Sequence, residues 1–210
     1  MHAVLADHEV RALNTNRQRT IAARQRRQAV QAATSPSPGR DPVDVTITRL
    51  DPGAWRDYKR LKLEALATDP QAFEALYDDQ RALPDVYWRS HLDEAANSRG
   101  SWLLFANREQ RPVGMIGAFV TEERRLAEIK SVFVAPGARG RGLGNALLDA
   151  VIHELRLDRT IQAVKLYVNV TQTAAVDLYV RCGFSIVEDV RATLGDGKAH
   201  DGYLMEKALR

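Results

Sequence analysis

The sequence predicts an α/β fold: a mixed sheet, antiparallel at first, with one βαβ crossover. Three observations carry this. Short stretches that alternate apolar and polar residues are interspersed with longer stretches at helical spacing. Two apolar runs flank residues 107–111 and read as a hairpin. A run of strand formers, SVFV, leads through Pro136 into a glycine-rich turn and then an amphipathic stretch, the strand–turn–helix order of a crossover.

Taken in order, VDVTITRL at 43–50 reads as the first strand, and Asp51 as a cap for a helix that carries Trp55, Tyr58, Leu61, Leu63 and Leu66 and ends near Pro70. Residues 71–98 mix polar and aromatic side chains, as two helical pieces separated near Leu83 and Pro84. The hairpin SWLLFANREQRPVGMIGAFV and the strand LAEIKSVFV follow, the latter with Glu128 and Lys130 on one face and Ile129 on the other. Residues 143–157 place Leu143, Leu147, Leu148, Val151, Ile152 and Leu155 on one stripe opposite Asp149, His153, Glu154 and Arg156. This is a helix packed on a sheet. Then come the strand AVKLYVNV, a helix TAAVDLYVRC stopped by Gly183, a strand FSIVEDVRA and a closing strand GYLMEKAL.

A hydrophobic content of 45% in 210 residues is ample for a core, and no apolar run approaches the roughly 20 residues that cross a bilayer. With no apolar signal core at the N-terminus, the expectation is a cytoplasmic protein without membrane contact. The single cysteine, Cys182, excludes an internal disulfide, and the histidines form no ligand-spaced cluster, so no metal is expected. Cys182 reads as a packed small residue. Trp55 and Trp102 read as core, while Tyr77 and Trp88 suit either core or a substrate wall.

Charge is unevenly placed. Residues 1–40 hold seven arginines against Asp7 and Glu9, a local +5, which leaves −2 for the rest of a chain whose net is +3. This Arg/Gln-rich segment ends on a Pro/Ser/Gly linker and reads as a disordered or loosely helical extension, with a partner contact and an organellar transit segment as the other readings. The folded domain is expected over 43–210. Nucleic-acid binding would have to reside in the extension.

The turn VFVAPGARGRGLG at 132–144 holds the chemistry. A Rossmann fingerprint would require glycine where Asn145 stands, and a P-loop would require Gly-Lys-Ser/Thr, which is absent. What remains is Arg139-x-x-Gly142-x-Gly144 between a strand and a helix. Glycines there let an anion approach main-chain N–H groups at a helix N-terminus, where the dipole adds about half a positive charge. Arg139 and Arg141 add charge at the rim.

This pattern resembles the R/Q-x-x-G-x-G/A signature of the Gcn5-related N-acetyltransferase (GNAT) superfamily. LYVNVTQTAAVDLYVRCGF resembles that family's second motif, and YLMEKAL its terminal strand. The resemblance covers 43–209 and implies a GNAT-like acyl-CoA N-acyltransferase fold, with a mostly antiparallel mixed sheet and splayed central strands. It implies acetyl-CoA as co-substrate, held by Val132, Phe133 and Val134 along the pantetheine and by Arg139, Gly140, Arg141, Gly142, Leu143, Gly144 and Asn145 at the diphosphate. Gln172, with Asn169 as substitute, is a further polar contact. It implies Tyr179 as the acid that protonates the departing thiolate, or as an aromatic cover for the cofactor. Glu128 is the first choice for the base that deprotonates the amine, and the N–H of Val134 for the oxyanion donor.

The implied reaction is acetyl transfer to a primary amine of a small molecule or peptide. Glu74, Asp78 and Asp79 fall where the family varies its substrate lid and read either as a solvated helix face or as groups that would suit a cationic amine. The alternatives are a protein N-terminal or lysine acetyltransferase, a CoA-binding protein without turnover, and a nucleic-acid binder acting through its tail. The resemblance also allows a homodimer.

Overall fold

The computed structural model describes residues 45–210 apart from Arg99, Glu123 and Arg124. The extension at 1–40 lies outside the described residues. Seven strands form one sheet in the order β1-β2-β3-β4-β5-β7-β6, where β1 is Val45–Thr48, β2 Ser101–Arg108, β3 Arg111–Val120, β4 Leu126–Val134, β5 Ala163–Asn169, β6 Ser185–Thr193 and β7 Ala199–Ala208. Only β4 and β5 pair in parallel. All other neighbours are antiparallel. The helices are α1 Trp55–Thr68, α2 Tyr77–Ala82, α3 Asp85–Asn97, α4 Leu143–Leu157 and α5 Thr173–Arg181.

The predicted elements are present, with two shifts. The β2–β3 turn is tighter than 107–111: it consists of Glu109 and Gln110 alone, both at positive φ (51° and 60°), which matches the twist of a two-residue hairpin without the glycine usual there. The last strand begins at Ala199, three residues before GYLMEKAL. Cross-strand pairing with β6, down to Thr193↔Ala199, extends a hairpin that hydrophobicity alone does not mark.

β2 is buried along nearly its whole length because the sheet is covered on both faces. Trp102, Leu104 and Ala106 join a core with Ile116, Ala118 and the apolar stripe of α4. Leu103 and Phe105 point the other way, to Trp55, Tyr58, Leu61 and Leu66 of α1 and Trp88 and Leu92 of α3. Trp88 is therefore core, as are Trp55 and Trp102. The six predicted stripe residues of α4 are all buried, each worth about 1.5–3 kcal/mol of gross transfer energy.

Parallel pairing of β4 with β5 runs only from Leu126↔Ala163 to Ile129↔Leu166. Beyond it β4 stays with β3, as Met115↔Phe133 and Gly114↔Val134, while β5 stays with β7 through Asn169↔Gly202. The two central strands therefore part. At the parting point Ser131 adopts φ 56°, and the β3–β4 register slips between Met115 and Gly117, so β4 bulges where the gap opens.

Candidate active site

A cleft of about 980 Å³ fills the gap. Its walls are β4 from Glu128 to Val134, the start of α4 with the loop before it, β5 from Leu166 to Val168, α5, and residues 71–75 after α1.

The glycine loop forms one end. Gly140 and Gly142 have φ of 73° and 79°, left-handed values that L-residues adopt only under strain, and no atom lies within 4 Å of where a Cβ would stand. Gly142 is the N-cap of α4 and supplies no side chain to occupy the first N–H groups of the helix. The loop thus presents bare main chain to an anion. Gly144 packs closely instead: a Cβ there would stand 3.0 Å from Leu178 of α5.

Most of the anticipated cofactor residues line this cleft: Val132, Phe133, Val134, Arg139, Gly140, Gly142, Leu143, Gly144, Asn145, Gln172 and Tyr179. Arg141 does not line it and is exposed. The Arg139 head is already engaged. Its Nε donates to the Val134 carbonyl at 2.8 Å, and Nη2 is paired with the Asp69 carboxylate. Asn145 donates to Asp149 at 2.8 Å, and its carbonyl accepts from the Cys182 thiol at 3.2 Å. Burial, then the Asp149 carboxylate, push that thiol up, consistent with a packing role for Cys182.

Asn169 is almost fully buried and committed to local structure. Its carbonyl takes the N–H and hydroxyl of Thr171, both at 2.9 Å, and its amide donates to the Gln71 carbonyl. This braces the turn into α5, whose N-cap Gln172 lines the cleft together with Thr171 and Thr173.

Tyr179 lies on α5, buried and edge-on to Phe184 at 5.9 Å between ring centroids. Burial raises its pKa well above that of a free phenol, so the hydroxyl stays protonated at neutral pH. The second-motif pattern puts it here: one face of α5 carries Val176 and Tyr179 inward.

Glu128 opens the opposite end. Its carboxylate lies 3.3 Å from Lys130 and 3.7 Å from Lys165. Lys130 also reaches Glu74 at 3.5 Å. Burial works against charge on Lys130, but Glu128 and Glu74 outweigh it and hold its pKa above the usual lysine value. Of Glu74, Asp78 and Asp79 only Glu74 lines the cleft; Asp78 lies outside it, 3.7 Å from Arg81.

Sequence reasoning passed over two polar groups of this end. Lys62 of α1 lines the cleft with Nζ 3.0 Å from the Ser131 hydroxyl and 4.7 Å from the Phe73 ring centroid. Burial, and secondarily Lys130, lower its pKa to about 8. Its signal was a lysine beside Leu61 on the inward stripe of α1. Tyr167 of β5 also lines the cleft, its hydroxyl buried without a hydrogen-bond partner among the described residues.

Among the described residues no three His, Cys, Asp or Glu side chains gather to hold a metal, and no helix is long and apolar enough to cross a membrane.

This geometry agrees with the comparisons to known proteins. The model of the acetyltransferase (GNAT) family matches residues 55–184. A mycothiol acetyltransferase of Streptomyces griseus is 32% identical over 151 residues, which is 70% of this chain and 45% of that protein. The chain spans about half the length of the curated relatives it matches. A GNAT-family acetyltransferase structure from Streptococcus pneumoniae superimposes with a TM-score of 0.68 at 24% identity, over 79% of this chain and 99% of that one. An acetyltransferase structure from Salmonella typhimurium with its cofactor acetyl-CoA gives 0.67 at 18% identity, over 80% and 95%. At those identities the structural likeness bears on the fold. With the family match covering more than half of its length, the chain belongs to the GNAT acetyltransferase family.

Proposed function

We propose that the chain transfers an acetyl group from acetyl-CoA directly to the primary amine of a small molecule. The observation that carries this reading is the coincidence of three features in one cleft: a bare glycine cradle at a helix N-terminus, a strand edge freed by the β4–β5 parting, and a protonated buried phenol between them. Bound there, acetyl-CoA supplies an activated acyl group as a thioester.

The residues divide the work. N–H groups of the loop and the first turn of α4 hold the diphosphate, with Arg139 adding charge. Val132 to Val134 offer main-chain partners to the pantetheine, as in strand addition. Tyr179 donates its proton to the sulfur as the C–S bond breaks. Desolvation raises phenol and thiol alike, so the transfer stays close to balanced. An ammonium has no lone pair, so the amine must lose a proton before the C–N bond forms; Glu128, directly or through water, takes it. A β4 main-chain N–H beyond the bulge, that of Val134, faces the charge developing on the attacked oxygen.

The relatives named for mycothiol support a small-molecule acceptor over a protein one. The test is thiol release from acetyl-CoA across amines, polyamines, antibiotics and peptides. Turnover with a small amine supports the reading; turnover only with peptides, or with none, refutes it.

A further inference from the structure

Lys62 plays no part in the reaction as proposed, yet the packing of α1 aims its ammonium into the cleft. It leaves α1 between Leu61 and the buried Ala65–Leu66 pair, so the helix packing fixes its stem and directs Nζ to the β4 bulge. The ammonium has three N–H donors, and the Ser131 hydroxyl uses one. The Phe73 ring face covers one side. Among the described residues no carboxylate pairs with it. The other titratable groups that act on it are cationic when protonated: Lys130 from β4 and His91 from α3.

The nearby carboxylates are taken. Glu128 lies between Lys130 and Lys165, and Glu74 sits on Lys130. Lys130 and Lys165 share these two glutamates, and Lys62 is left without a counter-ion among the described residues. A half-buried ammonium in that state destabilises the empty site, and an anion arriving with a ligand relieves it.

We infer that Lys62 recognises a carboxylate carried by the acceptor, so that the acceptor is an amine bearing an acid group, such as an amino acid or a short amino-acid conjugate. The inference rests on the acetyl-transfer reading and narrows its substrate. A polyamine would bring further positive charge beside an ammonium that has no carboxylate partner among the described residues. An amino acid brings its ammonium toward Glu128 and its carboxylate to the two unused donors of Lys62.

The test uses the full chain, acetyl-CoA, and matched pairs of acceptors, each amino acid or dipeptide set against its carboxamide. In wild type the acid member is preferred. Lys62→Met collapses that preference by about tenfold or more, the size of a lost charge-assisted bond, and does so through KM rather than kcat, while Lys62→Arg retains part of it. A uniform fall in kcat for both members of every pair would overturn the inference, because it would place Lys62 in acyl transfer itself. So would a wild type that favours the carboxamides.

A second readout does not depend on turnover or on the folding of a variant. In the acetyl-CoA complex of wild type with 13C-labelled lysine, acetate and succinate shift the Lys62 side-chain resonances and raise its pKa, whereas acetamide and succinamide do not. An unmoved resonance overturns the inference even if no acceptor is turned over. Calorimetric binding of acetyl-CoA separates this failure from that of the broader reading: if acetyl-CoA binds and Lys62 ignores carboxylates, only the inference falls.

Discussion

Arg139 and Asp69 form an ion pair inside the cleft, tying the glycine loop to the end of α1, 70 residues earlier in the chain. The pair holds the arginine head beside the Val134 carbonyl, where the loop meets the free edge of β4. It also places a carboxylate next to the site proposed for a diphosphate. Arg139→Glu should therefore weaken acetyl-CoA binding by about tenfold or more, and Asp69→Asn should tighten it a few-fold by removing the nearest negative charge. Calorimetry at low salt measures both, and raising the ionic strength should shrink both effects.

Lys62 makes a stability prediction of unusual sign. Its pKa falls from 10.5 in the unfolded chain to about 8 in the fold. Below pH 8 both states carry the charge, and the folded state bears the full cost of burying it, about 3 kcal/mol. Between pH 8 and 10.5 the unfolded state binds more protons, so the cost is progressively relieved as pH rises. Lys62→Met should thus stabilise the ligand-free protein at pH 7 and lose that advantage toward pH 10. Urea denaturation at several pH values checks the sign.

Tyr179→Phe keeps the aromatic packing on Phe184 and removes the proton. The expected outcome is a kcat lower by about 10²-fold with the KM for acetyl-CoA little changed. Glu128→Gln should lower kcat as well, and least for acceptors whose amines are already neutral at the assay pH, since these need no base. If weakly basic and strongly basic amines suffer equally, Glu128 is not the base.

Gly195 makes the β6–β7 hairpin tip fit against the segment after α1. Its N–H donates to the Phe73 carbonyl at 2.6 Å, and a Cβ would stand 2.5 Å from the Ala75 carbonyl and 2.9 Å from that of Pro70. Gly195→Ala must push the hairpin off residues 70–75, of which 71–75 wall the cleft. A loss of about 1–3 kcal/mol in stability and a raised KM for the acceptor are expected, measured by thermal melting and initial rates.

The glycine-loop end of the cleft was legible in the sequence because it is local. Val132 to Asn145 are consecutive, and the strand, the glycines and the amphipathic stripe each leave a pattern in their own stretch. Tyr179 was legible through the spacing within α5. The opposite end was legible only through Glu128 and Glu74. Lys62, Phe73, Lys130 and Leu194 come from four separate elements, and only the packing of α1 and of the β6–β7 hairpin on the sheet brings them together. Ser131 gave no signal either. A serine at positive φ looks like any strand serine, and its strain arises from the register slip between β3 and β4. Asn169 shows the converse: a plausible cofactor contact by position, it is consumed by the Thr171 turn.

Calorimetric titration of the folded chain with acetyl-CoA tests the glycine cradle most directly. A saturable one-to-one heat, strongly reduced in Arg139→Glu and in Gly142→Val, is the predicted result. Folded wild-type protein that shows no heat at millimolar acetyl-CoA would contradict it.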